Sequence, residues 1–237
     1  MDTYHQVSTC ALVVREPRIA ASRNKTHEME YVMQLYFSPG VCSLASHIAL
    51  REAGLPVDLK RTDIRTKKVE DGSDYLAVNS KGSVPALKLD NGQVLTEGPV
   101  ILQYIADQKP ESNLAPRSGT LERYRVQEWL NFITSELHKS FGPLFNASAD
   151  PAVKEYHLAN LKKRLDWVNA QLAGKKYVTG DNFTIADAYL FTVVGWSKPL
   201  SIDLTPWPAL GEFQARVAAR PKVQEAMAAE GLLKKAA

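Results

Sequence analysis

A strand–helix–strand pattern in the first half of the sequence is the feature that most restricts the folds open to this chain of 237 residues. Met33–Phe37 is a short alternating run, rich in aromatic residues, and predicts a strand. Ser43–Ala53 follows with apolar residues on one helical face, and Gly54 and Pro56 end it. Val57–Thr62 predicts a second strand. A helix that joins two strands in this order predicts a right-handed parallel crossover.

A hairpin and a helix complete this half of the chain. Val84–Leu89 and Gln93–Leu95 predict two strands, and the Asp90-Asn91-Gly92 run between them predicts a tight turn. A helix is predicted for Glu97–Gln108. The polar stretch Asp63–Asn79 is expected to hold a short irregular helix. The order βαβ, then ββα, indicates one α/β domain over residues 33–110.

Only helical patterns follow. Lys109–Gly119 carries Pro110, Pro116, Ser118 and Gly119, which is a linker composition, so we place a linker at residues 111–118. Residues 119–237 predict an all-helical domain. The expected fold class is therefore α/β plus all-α. Thr184 and Asp187 stand three apart before an apolar run, a spacing that predicts a capping box. The predicted helices are Leu121–Phe145, one beginning at Pro151, one beginning after Thr184, Trp207–Arg220 and Lys222–Glu230.

Residues 1–32 differ from the rest because they mix acidic and basic side chains without a clear period. They lack the apolar block of a secretory signal and are too acidic for a typical transit peptide. We interpret them as an N-terminal extension that is expected to be disordered.

Composition excludes several function classes. The net charge of +3 comes from scattered basic residues, which argues against nucleic-acid binding. The richest apolar stretch, Ile185–Trp196, is shorter than the roughly 18 residues of a membrane span. Two cysteines make no disulfide framework and favour a reducing, cytoplasmic setting. The five histidines show no metal-ligand spacing.

Cys42 follows the first strand and a Ser38-Pro39-Gly40 turn, at the start of a helix. Unpaired N–H groups and the positive end of the helix dipole gather there, which predicts a lowered thiol pKa and a reactive thiolate. Ser43 supplies a hydroxyl at the same place. The alternative is a small buried side chain, and position alone leaves both open. Cys10 has no such setting and is interpreted as incidental.

Two further motifs suit a peptide-like ligand. The Val84–Pro85 bond, before a strand, is a candidate cis peptide that would leave the backbone groups of Val84 free to pair with an extended ligand. The alternative is an ordinary edge-strand proline. Glu97 and Gly98, at a helix start, could receive an ammonium group and a carboxylate. Here the alternative is an ordinary helix cap.

His138 belongs to a polar stripe on the predicted long helix. The stripe recurs at spacings of three and four and comprises Glu128, Asn131, Ser135, His138 and Gly142. An apolar face lies beside it, which favours a helix lining a cleft, where His138 could hydrogen-bond or help to deprotonate a thiol. The alternative is a solvated helix face.

Taken together, the residues from 33 onward resemble the beta class of bacterial glutathione transferases. Leu35–Glu52 and Thr134–Lys139 are specific to that class, whereas Gly82–Leu87, Leu95–Gly98 and Phe183–Ala188 are shared more broadly in the superfamily. The resemblance implies a thioredoxin-like N-terminal domain, an all-helical C-terminal domain and a homodimer.

The resemblance also implies roles around the glutathione sulfur. Cys42 is expected next to that sulfur, where it can form a mixed disulfide, and His138 is expected to approach the same atom. Val84 would pair with the backbone of the glutathione cysteine, and Pro85 would be cis. Lys139 would also be in range of the ligand.

The other implied contacts hold the two ends of glutathione. Glu97 and Gly98 would hold the γ-glutamyl end, and Lys67 would lie near the glycyl carboxylate. Asn131 and Glu136 would reach across the dimer to the glutathione of the partner.

The expected function is conjugation of glutathione, as co-substrate and without a metal, to hydrophobic electrophiles in detoxification. One alternative is a glutathione-dependent thiol–disulfide oxidoreductase or peroxidase that works through Cys42. Another is a non-catalytic module for ligand binding or protein interaction. The chain departs from the class at Phe37, where a tyrosine is common. Strand alternation would turn Tyr36 to the opposite side of the strand. We therefore do not assume that the first strand places a tyrosine hydroxyl at the glutathione sulfur.

Overall fold

A computed structural model of the chain describes residues 32–233. Cys10 and all but the last residue of the expected N-terminal extension lie outside this range. Within it the chain forms five strands, all in one sheet. They are β1 (Met33–Phe37), β2 (Val57–Asp63), β3 (Lys68–Val69), β4 (Ala86–Lys88) and β5 (Val94–Thr96).

β1 is the central strand, in the order β3-β2-β1-β4-β5. It runs parallel to β2, with Met33 opposite Val57, and antiparallel to β4, with Leu35 opposite Leu87. The predicted parallel crossover is therefore confirmed. The edge strand β3 was not predicted, because its two residues lie in a polar stretch with no apolar alternation.

Helix α1 (Ser43–Ala53) forms the crossover and is buried on nearly every side. Gly54 ends it at φ 67°, and the Gly54 N–H donates to the carbonyl of Arg51 at 3.1 Å. The polar side chains opposite the apolar face of α1 are held by the helical part of the chain. His47 is fully buried against helix α8 (Pro221–Ala229), and Glu52 pairs with Arg220 at 2.7 Å.

A 3₁₀ turn at Tyr75–Ala77 is the short irregular helix expected in the polar stretch. The hairpin of β4 and β5 follows, and helix α2 (Gly98–Gln108) comes directly after it. A second 3₁₀ turn, Pro110–Ser112, lies at the beginning of the predicted linker.

The remaining described residues are helical or irregular. The further helices are α3 (Leu121–Phe132), a π-helical segment at Ile133–His138, α4 (Lys139–Phe145), α5 (Pro151–Leu172), α6 (Ile185–Gly195) and α7 (Pro208–Ala218). α3, the π-helical segment and α4 are continuous and cover the predicted Leu121–Phe145 helix. The π-helical geometry in its middle was not predicted.

Helix α6 lies at the centre of the helical layer, and its residues up to Val194 are buried. Its capping box is confirmed, since Asp187 accepts the Thr184 N–H at 2.8 Å and the Val178 N–H at 2.9 Å. Burial raises the pKa of Asp187 to about 6, although these hydrogen bonds lower it. None of the helices in residues 32–233 has the length and hydropathy needed to cross a membrane.

Candidate active site

A cleft of about 830 Å³ opens between the loops at one end of the sheet and the helices α4 and α6. It brings together most of the residues singled out in the sequence: Cys42, Lys67, Val84, Pro85, Glu97, Gly98, His138 and Lys139. Asn131 and Glu136 do not line it. Thr134, Tyr189, Trp196 and Lys81 line it as well, although the sequence reasoning assigned them no role.

The thiol of Cys42 lies at the start of α1 and donates to the carbonyl of Val84 at 3.0 Å. Burial raises the pKa of Cys42 to about 11, while the backbone N–H groups of Cys42 and Ser43 lower it by less. The expectation of a lowered pKa was therefore wrong, because desolvation outweighs the helix terminus. At neutral pH this thiol is therefore protonated.

Ser43 does not offer its hydroxyl to the cleft. The hydroxyl donates to the carbonyl of Ser38 at 3.1 Å and accepts the Ser38 N–H at 3.2 Å, and the side chain is fully buried. Its role is to close the loop between β1 and α1 that carries Cys42.

Gly40, in the same loop, is held on both sides by the helical part of the chain. Its N–H donates to Glu230 Oε2 at 2.9 Å, and its carbonyl accepts the indole N–H of Trp196 at 2.9 Å. The φ of 71° suits glycine, and the side chain of Leu232 lies 3.2 Å from where a Cβ would stand. The loop before Cys42 is thus fixed by residues far away in the sequence.

The buried carboxylate of Glu230 accepts two hydrogen bonds. Arg51 Nε–H donates to His47 Nε2 at 3.2 Å, so the neutral imidazole of His47 carries its proton on Nδ1. That Nδ1–H donates to Glu230 Oε1 at 3.0 Å. The other oxygen of Glu230 accepts the Gly40 N–H. Both partners of Glu230 are therefore donors, so both of its oxygens must act as acceptors.

The Val84–Pro85 peptide is cis, as expected. The preceding turn is held by Tyr75 Oη and Asn79 Nδ2, which both donate to the carbonyl of Ser83 at 2.7 Å. Within residues 32–233 the backbone N–H of Val84 donates to no protein acceptor. It is therefore available to pair with an extended ligand.

Lys67 reaches the cleft from a left-handed backbone conformation, with φ 56°. Its Nζ donates to the carbonyl of Gly82 at 2.8 Å. Gly82 has φ 63°, and a Cβ there would lie 3.1 Å from Lys67 Cε and 3.2 Å from Leu76 Cδ2. The positive φ and the close approach of the lysine stem both favour glycine at this position.

Glu97 stands at the start of α2 with φ 69° and ψ 112°, an unusual conformation for a non-glycine residue. Its carboxylate already has a cation, because Lys81 forms an ion pair with it and donates to Thr96 Oγ1 at 2.8 Å. The sequence reasoning missed Lys81. Gly98 follows, and a Cβ there would lie 3.9 Å from the Pro85 ring, so the two motifs meet in space.

His138 Nδ1 lies 2.7 Å from the hydroxyl of Tyr189 on α6. Burial lowers the pKa of His138 to about 4, and the nearby Lys139 lowers it further. The imidazole is therefore neutral at physiological pH and a weak base. Burial raises the pKa of Tyr189, the neighbouring Thr134 hydroxyl lowers it by less, and Cys42 and Glu97 raise it slightly, so the phenol keeps its proton.

An aromatic wall forms the other side of the cleft. Trp196 packs edge-on against His138, with ring centroids 4.8 Å apart, and against Phe145 at 6.0 Å. Phe145 is half exposed, and Pro199 also lines the cleft. This side can accept an apolar ligand.

The predicted polar stripe does not form a single face. His138 and Gly142 line the cleft, whereas Asn131 is exposed elsewhere. The reason is the π-helical segment, whose wider turns break the spacing of three and four assumed for an α-helix. Glu136, in that segment, forms an ion pair with Arg164 at 2.7 Å.

The first strand supplies no hydroxyl to the cleft. Tyr36 points to the other side, where its ring packs on Tyr75 with centroids 5.7 Å apart and its hydroxyl lies 3.4 Å from Gln34 Oε1. Phe37 packs on His47. Among residues 32–233 there is also no cluster of three metal-binding side chains.

Two family models together match most of residues 32–233. The model described as "Glutathione S-transferase, N-terminal domain" matches residues 40–108, and "Glutathione S-transferase, C-terminal domain" matches residues 132–221. Among curated proteins, glutathione S-transferase GstA of Escherichia coli O157:H7 is 47% identical over 200 residues, which cover 84% of this chain and 100% of GstA. The chain belongs to the glutathione S-transferase family.

Solved structures of this family have the same fold and identify the class. BphK, a bacterial glutathione S-transferase solved as a ternary complex, is 54% identical with a TM-score of 0.83. A bacterial beta class glutathione S-transferase of Sphingomonas chungbukensis is 48% identical with a TM-score of 0.82. Each match covers 84% of this chain and 100% of the other. The expected beta class, with a thioredoxin-like domain followed by a helical domain, is thereby confirmed.

Proposed function

We propose that this glutathione S-transferase conjugates glutathione to hydrophobic electrophiles and serves in detoxification. The observation that carries the proposal is the cleft itself, which is lined by a polar wall from the loops of the sheet and an aromatic wall from the helices, together with Cys42 and His138. Glutathione is a polar, charged peptide, whereas typical electrophiles are apolar, so the two walls suit the two substrates.

On the polar wall, the free N–H of Val84 pairs with the backbone of the glutathione cysteine. Glu97 holds the α-ammonium of the γ-glutamyl end and Gly98 its carboxylate. Because Lys81 forms an ion pair with Glu97 within the chain, the ligand's ammonium displaces it there. Lys67 lies near the glycyl carboxylate.

The nucleophile in conjugation is the sulfur of glutathione. Its thiolate attacks the electrophilic carbon, a carbon–sulfur bond forms, and the leaving group departs with its electron pair. Cys42 and His138 lie beside the sulfur and Lys139 within reach of the ligand. Because burial holds the pKa of Cys42 near 11, its own thiol is a poor nucleophile at neutral pH and has a supporting role.

A second activity is proposed from the position of the Cys42 thiol in the cleft. In reduction of a mixed disulfide between glutathione and another thiol, the small thiolate fraction of Cys42 attacks the glutathione sulfur, the other sulfur leaves as a thiolate, and a Cys42–glutathione disulfide forms. A second glutathione, as thiolate, then attacks this disulfide, which releases oxidised glutathione and restores the Cys42 thiolate. Cys42→Ala should keep conjugation and lose this reduction, whereas loss of both activities would show that conjugation also depends on Cys42.

We further propose a cytoplasmic homodimer, in which Asn131 and Glu136 reach the glutathione of the partner subunit. The exposure of Asn131 outside its own cleft supports such a role. Glu136 would first have to leave Arg164, its partner within the chain. Analytical sedimentation should show a dimer. The Asn131→Ala variant should remain a dimer but have a raised KM for glutathione. A monomer with full activity would overturn this assignment.

The main test is conjugation of chlorodinitrobenzene, together with binding to immobilised glutathione. The wild type should bind the resin and show saturable, glutathione-dependent conjugation. Glu97→Gln should raise the KM for glutathione about tenfold, since it removes a charge that meets the ligand's ammonium. Glu122→Gln, an exposed change outside the cleft, serves as control. A folded wild type that neither binds nor conjugates would favour a non-catalytic module.

A further inference from the structure

The hydroxyl of Tyr189 lies 2.7 Å from His138 Nδ1, which is the one contact of ordinary hydrogen-bond geometry that it makes within residues 32–233. Tyr189 is 2% exposed, so its hydroxyl is largely shielded from solvent. The two rings meet edge to face, with centroids 6.0 Å apart and an interplanar angle of 76°. The phenol therefore restricts both the orientation of the imidazole and the protonation of its Nδ1 atom.

The direction of this hydrogen bond follows from the number of hydrogens available. A phenol carries one hydrogen, and a buried hydroxyl needs an acceptor for it. Thr134 lies near enough to lower the pKa of Tyr189, but it uses its own hydrogen on the carbonyl of Leu130 at 2.8 Å. Within residues 32–233 no hydrogen bond of ordinary geometry joins the Thr134 oxygen to the phenol, whereas His138 Nδ1 is 2.7 Å away. The lone pair of His138 Nδ1 is the acceptor in contact with the phenol, which places the proton of the neutral imidazole on Nε2.

We propose that Tyr189 is a positioning residue, which holds His138 in the Nε2–H tautomer and makes the imidazole a hydrogen-bond donor towards the cleft. His138 Nε2 has no protein partner within residues 32–233, and it is therefore free to meet a ligand. Nothing in this arrangement requires His138 to take a proton.

The consequence for catalysis rests on the proposed function. A glutathione thiolate in the cleft would accept the Nε2–H of His138, which favours the charged form of the sulfur. The pKa of about 4 for His138 fits a neutral donor better than a base. Since neither Tyr36 nor Phe37 offers a hydroxyl here, the imidazole supplies a donor that the first strand lacks.

The tautomer can be observed without any ligand or activity. In protein labelled with ¹⁵N-histidine, long-range ¹H–¹⁵N correlation spectra distinguish the protonated ring nitrogen from the unprotonated one. The His138 signals are identified by their loss in His138→Gln. At neutral pH the wild type should show a protonated Nε2 and an unprotonated Nδ1. A protonated Nδ1 in the wild type would overturn the proposal.

Two variants separate Tyr189 from its surroundings. Tyr189→Phe keeps the ring and removes the hydroxyl, and should shift the Nδ1 signal or give a mixture of tautomers. Thr134→Val should leave the tautomer unchanged, because the phenol hydrogen is on Nδ1. A change in Thr134→Val would show that Tyr189 donates to Thr134 instead, which contradicts the proposal. Tyr36→Phe, on the other side of the sheet, is the matched control and should change nothing.

Kinetics then tests the catalytic consequence. Tyr189→Phe should lower kcat for conjugation roughly 3- to 10-fold, the equivalent of one ordinary hydrogen bond, with a smaller effect on the KM for glutathione. An unchanged kcat, with the tautomer altered, would overturn the role in catalysis. If the wild type does not conjugate at all, the proposed function fails, while the spectra still decide the tautomer.

Discussion

The carboxylate of Glu230 accepts the N–H of Gly40 at 2.9 Å, although the two residues are 190 positions apart. This contact joins the end of α8 to the loop that presents Cys42. Trp196 donates to the carbonyl of the same residue and also packs on His138. The two candidate catalytic side chains are therefore fixed by one connected set of partly buried contacts.

Glu230→Gln should destabilise the fold. Both partners of Glu230 are N–H donors, and an amide offers only one acceptor atom, so the change leaves one buried donor opposing another. The expected loss in the free energy of unfolding is about 1–3 kcal/mol, measured by urea denaturation. Glu225→Gln, on the same helix but in an exposed ion pair with Lys222, should cost below about 1 kcal/mol. Equal losses in the two variants would contradict this account of Glu230.

The Cys42 thiol should react slowly at neutral pH. Because burial raises its pKa to about 11, the thiolate fraction, and with it the alkylation rate, should still be rising above pH 9. The measurement is iodoacetamide labelling against pH in a Cys10→Ser background, which leaves Cys42 as the single thiol. A rate that levels off near pH 7 would mean that the helix terminus prevails over desolvation.

His138 should make the free energy of unfolding depend on pH. Its pKa of about 4 lies below the ordinary value of 6.5, so the unfolded chain binds this proton first, and stability is lost as the pH falls from about 6.5 towards 4. Asp187, with a pKa raised to about 6, acts in the opposite direction over part of this range. The test is therefore the difference in unfolding free energy between wild type and His138→Gln. That difference should shrink on acidification, and a constant difference would contradict the prediction.

Gly82→Ala should cost about 1–3 kcal/mol of stability, the usual range for a strained backbone position. The residue has φ 63°, and the new methyl group would meet the stem of Lys67. Gly211→Ala is the matched control, because it lies in α7 with nothing within 4 Å, and alanine favours a helix. Thermal unfolding compares the two. A Gly82→Ala protein as stable as Gly211→Ala would contradict this account of Gly82.

The sequence was sufficient for the parts of the fold that depend on local pattern. The crossover at β1, α1 and β2 follows from periodicity, and the Thr184–Asp187 box from cap chemistry. The Val84–Pro85 bond and the grouping of Cys42 with Glu97 in one cleft agree with the family resemblance.

What the sequence could not provide depends on packing between distant elements. The π-helical turn at His138 has no sequence signature in a 3.6-residue period, so the predicted stripe included residues that face elsewhere. The pKa of Cys42 is set by burial beneath the Val84 turn, and helix position alone indicated the wrong direction. Tyr189 lies in a run of buried residues that resembles core, and only its contact with His138 distinguishes it.

The central claim is that Glu97 receives the α-ammonium of glutathione in this cleft. It is tested most directly by calorimetric titration of wild type and Glu97→Gln with glutathione and with the analogue that lacks the α-amino group. The wild type should prefer glutathione by about tenfold or more, as expected for a charged hydrogen bond, and Glu97→Gln should bind both ligands almost equally. If the wild type binds both ligands equally, or Glu97→Gln retains the full preference, the ammonium is held elsewhere and the assignment of the polar wall is wrong.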